Sequence, residues 1–279
     1  MKRGLILAAV LAVAASSLYA TPLIWRGAGV LKPLSLQAYL GTGYLQSGKK
    51  WVDSTESWIE LPEASKTTVI KLFPAVMFSP FKNLEVGAVA PVFSKSNEAA
   101  SSFGIGDAWI KARYGLLQAK MSPVKLTFSA AAILPTAPED AKPSLGDRTL
   151  DLGFGLVAQT MKFAGFVGHA RAGYWLNGKK TVGEVKKTQG NMLEYIAKVD
   201  YVFGPRASMF LTVAGTMQAA GDGNAQTTRH GLSVGAVLKP LPVVKLAVRP
   251  KLILPLEALS KGGNINPWEA GLDFWLTLP

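Results

Sequence analysis

The chain has 279 residues, no cysteine and a formal net charge of +12, and 17% of its residues are charged, against roughly 25% in an ordinary soluble domain. The absence of cysteine excludes disulfides, cysteine-based zinc clusters and a lipoprotein anchor. The basic residues are dispersed rather than gathered into the patch of a nucleic-acid-binding domain. The mean hydropathy is +0.22, yet past the N-terminal segment no apolar run approaches the ~20 residues that a membrane-spanning helix needs. This combination favours amphipathic strands.

Residues 1–20 are typical of a secretory signal peptide. Lys2 and Arg3 provide a basic start, an apolar core follows, and small residues precede Ala20. We place the cleavage after Ala20, with cleavage after Ser17 as the alternative. The protein is therefore expected to be exported and to fold beyond the inner membrane.

From Ser35 onward the chain alternates in hydropathy, most clearly in the segment Gly104–Leu117. Lys111 and Arg113 share one parity of that segment with Trp109, whereas its apolar residues take the other parity. Because a strand points successive side chains to opposite faces, the pattern predicts a strand with one apolar and one charged face. A helix would scatter the same charges around its girth.

The same pattern predicts twelve strands of about 11–14 residues, enough for a tilted strand to span a bilayer. The first begins at Ser35, and a polar segment follows it as far as Ser65. The others are predicted at Lys66–Phe78, Asn83–Phe93, Gly104–Leu117, Val124–Leu134, Arg148–Met161, Phe163–Leu176, Asn191–Phe203, Arg206–Ala219, Thr227–Lys239, Val243–Leu256 and Trp268–Leu278.

The connections between these strands alternate strictly between long and short. An even strand number, short turns at one rim and long polar loops at the other are typical of outer-membrane barrels. We therefore predict an all-β fold, a closed antiparallel transmembrane β-barrel of about 12 strands with short periplasmic turns and long extracellular loops. Residues 35–279 form this barrel, and residues 21–34 precede it as an N-terminal arm or plug.

Parity also predicts which face meets lipid. Charged residues well inside the strands fall on the less apolar face, and an Arg or Lys at mid-membrane on the lipid face would cost about 2–4 kcal/mol. A soluble lipocalin-like barrel would reverse this arrangement. The charged face is therefore predicted to line the lumen, with a slight basic excess that favours anions. Its predicted pore-lining residues are Lys71, Glu85, Asp107, Lys111, Arg113, Lys125, Asp151, His169, Arg171, Glu194, Lys198, Asp200, Arg229, Lys245, Arg249, Lys251, Glu269 and Asp273.

Three prolines, Pro74, Pro91 and Pro250, lie inside predicted strands. Proline cannot donate to a sheet ladder and normally marks an edge or a bulge. A closed barrel has no edge, so we expect kinks or bulges at these sites. A lateral opening toward lipid is a hypothesis that follows, and a regular, fully bonded wall at Pro74 and Pro91 would count against it.

Several short motifs together resemble the outer-membrane barrel family labelled "MetA-pathway of phenol degradation", whose members are grouped as transporters. The resemblance implies a transport barrel, with a link to aromatic catabolism for some members. The chain departs from the family pattern at Ala137–Pro138, where glycine usually follows the third motif. The motifs are KNLEVGAVAP at 82–91, GIGDAWIKARY at 104–114, ILPT at 133–136, LGDRTLDLGFG at 145–155 and AGYWLN at 172–177.

Catalytic chemistry has little support in the sequence. Ser129, His169 and Asp151 all share the inner face, but no nucleophile elbow or oxyanion hole accompanies them. His169 and His230, the two histidines of the chain, are too far apart in sequence to suggest a metal site. We predict that the protein is not an enzyme and uses no cofactor and no metal.

The leading hypothesis is an outer-membrane channel or transporter for passive passage of small molecules, with aromatic or hydrophobic solutes among the candidates. The alternatives are a structural or surface-exposed barrel that acts through its loops without transport, and a lipid-modifying enzyme. We expect the protein in the outer membrane of a Gram-negative cell. Its expected partners are outer-membrane lipid, a small-molecule solute and the barrel assembly machinery, and no nucleic acid.

Overall fold

A computed structural model describes residues 27–119, 122–182, 185–222, 226–239, 246–266 and 268–278. The predicted signal peptide lies outside these residues. The described chain is almost entirely strand and loop, with two single turns of 3-10 helix at Glu63–Ser65 and Glu257–Leu259. Within the described ranges no helix is both long and apolar enough to cross a bilayer.

Twelve antiparallel strands form one sheet in which β1 pairs with both β2 and β12, so the sheet closes on itself. Leu36 at the start of β1 lies opposite Phe78 of β2 on one side and Leu278 of β12 on the other. The strands are β1 Leu36–Gln46, β2 Thr68–Phe81, β3 Leu84–Val89 with Val92–Ser96, β4 Ser101–Ile105 with Ala108–Leu117, β5 Val124–Leu134, β6 Asp151–Thr160, β7 Phe166–Leu176, β8 Met192–Val202, β9 Ala207–Gln218, β10 Thr227–Leu238, β11 Leu246–Pro255 and β12 Glu269–Leu278. The predicted fold class is confirmed.

The connections differ at the two rims, which we call the long-loop rim and the short-turn rim. Two of the long loops are themselves ordered as hairpins. Lys49–Val52 pairs with Ser57–Glu60 above β1, and Lys179–Val182 pairs with Val185–Thr188 above β7. The prediction of a polar loop over residues 94–103 is wrong, because β3 runs on to Ser96 and β4 begins at Ser101.

The outward face is apolar, as the parity of the sequence predicts. Leu152 and Phe154 of β6 are 39% and 42% exposed, whereas Asp151 beside them is 7% exposed. Alternation of this kind is also clear in β1, β2 and β7. The reason is energetic, since a lipid-facing wall excludes charge.

The wall is discontinuous between β3 and β4 beside Pro91. On one side of the break Val89 lies opposite Trp109. On the other side Val92 lies opposite Ile105, so β4 carries one residue more than β3 across the gap. An extra residue in one strand of an antiparallel pair is a β-bulge, and the expected bulge is therefore found in the strand next to this proline.

The expectation of a bulge at Pro74 is wrong. From Leu72 to Ala75 the register of β2 against β3 is continuous across the proline. The Pro74 carbonyl accepts a hydrogen bond of 3.1 Å from the Ala90 amide. Because the N–H and C=O of a residue in an antiparallel strand face the same neighbour, the missing donor leaves a gap in the β3 ladder rather than a shift. At Pro250 the register with β10 and β12 is likewise unchanged, although the β10 ladder is interrupted there.

Candidate functional site

The inner wall of the barrel carries the charged side chains, and most of its acids face basic partners from the same or a neighbouring strand. These pairs are largely buried, so they sit in a low-dielectric environment where opposite charges must be matched. The pairs are Glu85 with Arg113 at 2.8 Å, Glu194 with Arg171, Asp200 with His169 at 2.5 Å and with Lys198 at 2.9 Å, and Asp273 with Arg249 at 2.5 Å and with Lys251 at 3.0 Å.

The group around Asp273 illustrates how the register makes these pairs. Arg249 of β11 lies directly opposite Asp273 of β12, and Lys251 follows two residues later on the same face. Asp273 is 1% exposed and accepts hydrogen bonds from both cations. The Arg249 guanidinium also lies 5.6 Å from the centroid of the Trp275 ring. The result is a fully satisfied cluster that braces this side of the lumen.

Within the arm 27–34, residues 27–31 lie inside the barrel and are held by side chains of the inner wall, whereas residues 32–34 are exposed. Arg113 of β4 donates to the carbonyls of Gly27, at 2.5 Å, and Gly29, at 3.4 Å. The same guanidinium is paired with Glu85 of β3. One buried ion pair therefore serves both the wall and the arm.

Further contacts hold the middle of the arm. The Ala28 carbonyl accepts hydrogen bonds from Thr127 Oγ1 at 2.5 Å and Gln118 Nε2 at 2.8 Å. The Leu31 amide donates to the Glu85 carboxylate. Ala28 is 0% exposed and Leu31 is 7% exposed. Residues 27–31 thus lie against the inner wall, and side chains of β3 to β5 and Gln118 hydrogen-bond to the Gly27, Ala28 and Gly29 carbonyls and the Leu31 amide.

The arm also contacts the neighbouring part of the inner wall, on β6 and β7. A Cβ atom built at Gly27 would lie 2.1 Å from Gln159 Oε1 and 2.8 Å from His169 Nδ1. These two residues face each other across β6 and β7. A side chain at this point would displace the ends of both side chains, and the arm lies along the adjoining β3–β5 and β6–β7 parts of the inner wall.

Two predicted lumen carboxylates hold loops at the long-loop rim. Asp107, at the β4 bulge, accepts hydrogen bonds from the amides of Ala137 at 3.0 Å and Arg148 at 2.9 Å. Asp151 accepts from the Gly178 amide at 2.8 Å. Sequence parity places both on the inner face, but it carries no information about these loop contacts.

The remaining predicted lumen residues are dispersed along the inner wall rather than gathered into one site. Of these residues, Lys71, Lys111 and Glu269 are buried and Lys125 and Arg229 are half-buried, while Lys245 lies outside the described residues.

An aromatic cluster on the inner wall was not predicted. Tyr39 and Phe73 are buried together, and Phe93, Trp109 and Trp275 pack against them. The Phe73 ring centroid lies 5.4 Å from that of Trp109 and 5.9 Å from that of Phe93. The signal was present in the sequence, because these residues share the parity of the charged face. The lumen therefore offers an apolar surface beside its ion pairs.

The three side chains that an enzymatic interpretation would combine are apart. The Ser129 hydroxyl donates to the Gly155 carbonyl. His169 pairs with Asp200 rather than with Asp151, and Asp151 lies eight positions along β6 from Gln159, the residue opposite His169, roughly 26 Å of strand. In the described part of the chain no cluster of three His, Cys, Asp or Glu side chains has the arrangement of a metal site.

Outside the membrane-spanning strands, an exposed ion pair shapes the loop between β5 and β6. Arg148 Nη1 lies 2.7 Å from Glu139 Oε1. A hydrogen bond and the charge of Arg148 lower the pKa of the Glu139 carboxyl. At the loop above β1, Lys49 Nζ lies 2.8 Å from Glu257, and the hydrogen bond to that carboxylate raises the pKa of Lys49.

A closed barrel with a lipid-facing apolar exterior, a charged interior and an internal N-terminal arm defines the class of transmembrane β-barrels. Solved structures of that class are similar to this chain. An outer membrane channel from Pseudomonas putida F1 matches with a TM-score of 0.77 at 12% identity, over 93% of this chain and 100% of that one. The β domain of a Bordetella autotransporter matches with a TM-score of 0.51 at 10% identity, over 88% of this chain and 100% of that one. At these identities the likeness concerns the fold.

No protein-family model matches the chain, and no curated protein matches it significantly. The family resemblance drawn from short motifs therefore stays a prediction.

Proposed function

We propose that this protein is an outer-membrane channel for passive passage of small molecules, and that the arm 27–34 closes its lumen in the conformation described above. The observation that carries the proposal is the docking of the arm on Arg113, Gln118 and Thr127 inside a barrel that has an apolar exterior. A barrel with a polar inner wall and an arm docked inside it fits a gated channel better than a barrel that only anchors surface loops.

The solutes we propose are small molecules, with aromatic or hydrophobic compounds among them. The aromatic cluster supports that part of the proposal, because its partly exposed members Phe93, Trp109 and Trp275 place apolar surface on the inner wall. The ion pairs leave a slight excess of Lys and Arg on the inner wall, which favours anions over cations. Catalysis forms no part of the proposed function.

Single-channel recording and liposome swelling with purified protein test the proposal. We expect small, intermittent conductance with weak anion preference in the intact chain, and larger conductance after deletion of residues 21–33. Absence of permeation by any small solute in both proteins would refute the channel and favour a barrel that acts through its loops. Clear cation preference would refute the assignment of charge to the inner wall.

A further inference from the structure

A pocket of about 540 Å³ lies at the long-loop rim, between the connections that follow β7 and β9. Its lower side is a row of three outward residues on β7, β8 and β9. Tyr174 lies opposite Leu193, and Leu193 lies opposite Met217. All three are exposed, as lipid-facing residues of this barrel are. The pocket therefore begins where the apolar wall ends.

Above that row the lining changes to side-chain amides. Five amide residues contribute to the lining, and none of its residues is charged. Each amide offers two donors and an acceptor oxygen, which suits the hydroxyl groups of a sugar. The volume lies within the roughly 300–1,000 Å³ of small-ligand sites. The five are Asn177, Gln189, Asn191, Gln218 and Gln226.

The pocket is built rigidly from two interlocked loops. Gly190 accepts hydrogen bonds at its carbonyl from Asn177 Nδ2 at 2.8 Å and Gln218 Nε2 at 3.2 Å. A Cβ at Gly190 would lie 1.9 Å from the Ala219 carbonyl oxygen. Thr188 donates through its hydroxyl to Asp222, at 2.7 Å, and so ties the loop above β7 to the loop above β9. A pocket shaped before binding requires little ordering of the loops on binding.

The depth of the pocket matches the membrane–water interface. One row further from the rim, the Tyr195 hydroxyl lies 2.5 Å from His230 Nδ1 on the outward face. Gly215 separates them, and a Cβ there would lie within 2.6 Å of both side chains. Polar aromatic groups on a barrel exterior lie at the level of the lipid headgroups. The pocket above them is therefore at headgroup height.

The hairpin that follows Asn177 is strongly basic. Residues 179–188 carry four lysines and one glutamate, and Lys180 lies opposite Lys187 in its ladder. Basic groups at headgroup height attract anionic lipid headgroups. An amide-lined pocket next to such a hairpin is complementary to a ligand that has both sugars and phosphates.

We propose that this pocket binds the phosphorylated sugar headgroup of a lipopolysaccharide in the outer leaflet. The amides contact sugar hydroxyls, the positive charge of the hairpin that follows Asn177 attracts the phosphates, and an acyl chain lies along Tyr174, Leu193 and Met217. The proposal rests on the proposed outer-membrane location, with the long-loop rim outside.

Native mass spectrometry of the full-length protein in detergent tests it, with bisphosphorylated lipid A that carries two Kdo sugars as the probe and phosphatidylglycerol as the comparison lipid. One variant, Lys179→Glu/Lys180→Glu, reverses charge at the hairpin. A second, Ala220→Trp, fills the pocket with an indole. The matched control, Lys82→Glu/Lys162→Glu, makes the same charge change at exposed lysines of the short-turn rim.

We expect lipid A binding to fall at least about fivefold in the hairpin variant, to fall similarly in Ala220→Trp, and to stay unchanged in the control. Phosphatidylglycerol should bind at least about fivefold more weakly than lipid A to the wild type, because it lacks the sugars. Wild-type lipid A affinity in both variants, or equal affinity for the two lipids, would overturn the proposal. Heat-modifiable gel mobility shows whether each variant is folded, and the charge variant keeps the test decisive if the Trp variant is not. Conductance of the same samples separates a failure of this site from a failure of the channel.

Discussion

Undocking of the arm is the prediction that bears most directly on the closed lumen. Thr127 Oγ1 and Gln118 Nε2 both donate to the Ala28 carbonyl, at 2.5 and 2.8 Å, and Ala28 is fully buried. The variant Thr127→Val/Gln118→Leu removes both donors. It leaves a buried carbonyl without a partner, which costs about 1–3 kcal/mol.

That cost applies only to the docked arm, since an undocked arm exposes the same carbonyl to water. The ratio of undocked to docked protein should therefore rise about 5- to 150-fold, at 1.4 kcal/mol for each factor of ten. Single-channel recording in planar bilayers should show a matching rise in open probability. Deletion of residues 21–33 should give the upper limit of the conductance.

The control Thr212→Val makes the same hydroxyl-to-methyl change on the inner side of β9, away from the arm. It should behave as the wild type. If the arm deletion conducts no better than the intact chain, the arm does not close the lumen. If the control opens as often as the double variant, loss of a wall hydroxyl rather than arm contacts explains the effect.

Three further outcomes follow from the geometry. Glu194→Ala leaves the buried Arg171 guanidinium without its counter-ion and should lower the free energy of unfolding in urea by about 3–5 kcal/mol. Replacing both residues by Leu and Met should recover most of that stability. Equal losses of stability in both variants would contradict this. Gly153→Val puts a Cβ about 2.7 Å from the Trp175 ring, and we expect a loss of about 1–3 kcal/mol with a changed near-UV spectrum of the indole; an unchanged spectrum would argue against that contact. Because the pKa of Glu139 is lowered, its ion pair with Arg148 stabilises the β5–β6 loop at pH values above the usual carboxyl pKa and is lost as the pH falls through the lowered pKa. Proteolysis of this loop should therefore accelerate below about pH 4. An equal acceleration in Glu139→Gln would refute that cause.

The wall of the barrel was predictable because lipid imposes one rule on every strand. β5 runs from Val124 to Leu134, as the sequence predicts, and Leu152 and Asp151 face opposite sides because the strand period is two. The same rule placed Trp109 on the inner face. Parity therefore sufficed for both the fold and the side on which each wall residue lies.

The interior contacts were not predictable from parity. The arm has no alternation in hydropathy. The hydrogen-bond donors to its Gly27 and Ala28 carbonyls are brought together only when the barrel closes. Asp107 shows the same limit, because it accepts a hydrogen bond from the amide of Ala137, thirty residues later in the chain. Long-range hydrogen bonds between irregular backbone and a wall side chain leave no periodic trace in the sequence.

The β3–β4 junction shows how the wall and the interior depend on each other. Pro91 lacks the N–H that would bond to β4, and no lipid group replaces a missing backbone donor. The remaining bond there runs from the Gly106 amide to the Pro91 carbonyl, at 2.7 Å. Gly106 also has no room for a side chain, because a Cβ would lie 2.4 Å from the Phe93 ring and 3.0 Å from the Leu145 carbonyl oxygen. The loss of ladder hydrogen bonds is thus offset from inside, by packed aromatic rings and a buried loop, so stability at this point of the wall depends on the contents of the lumen.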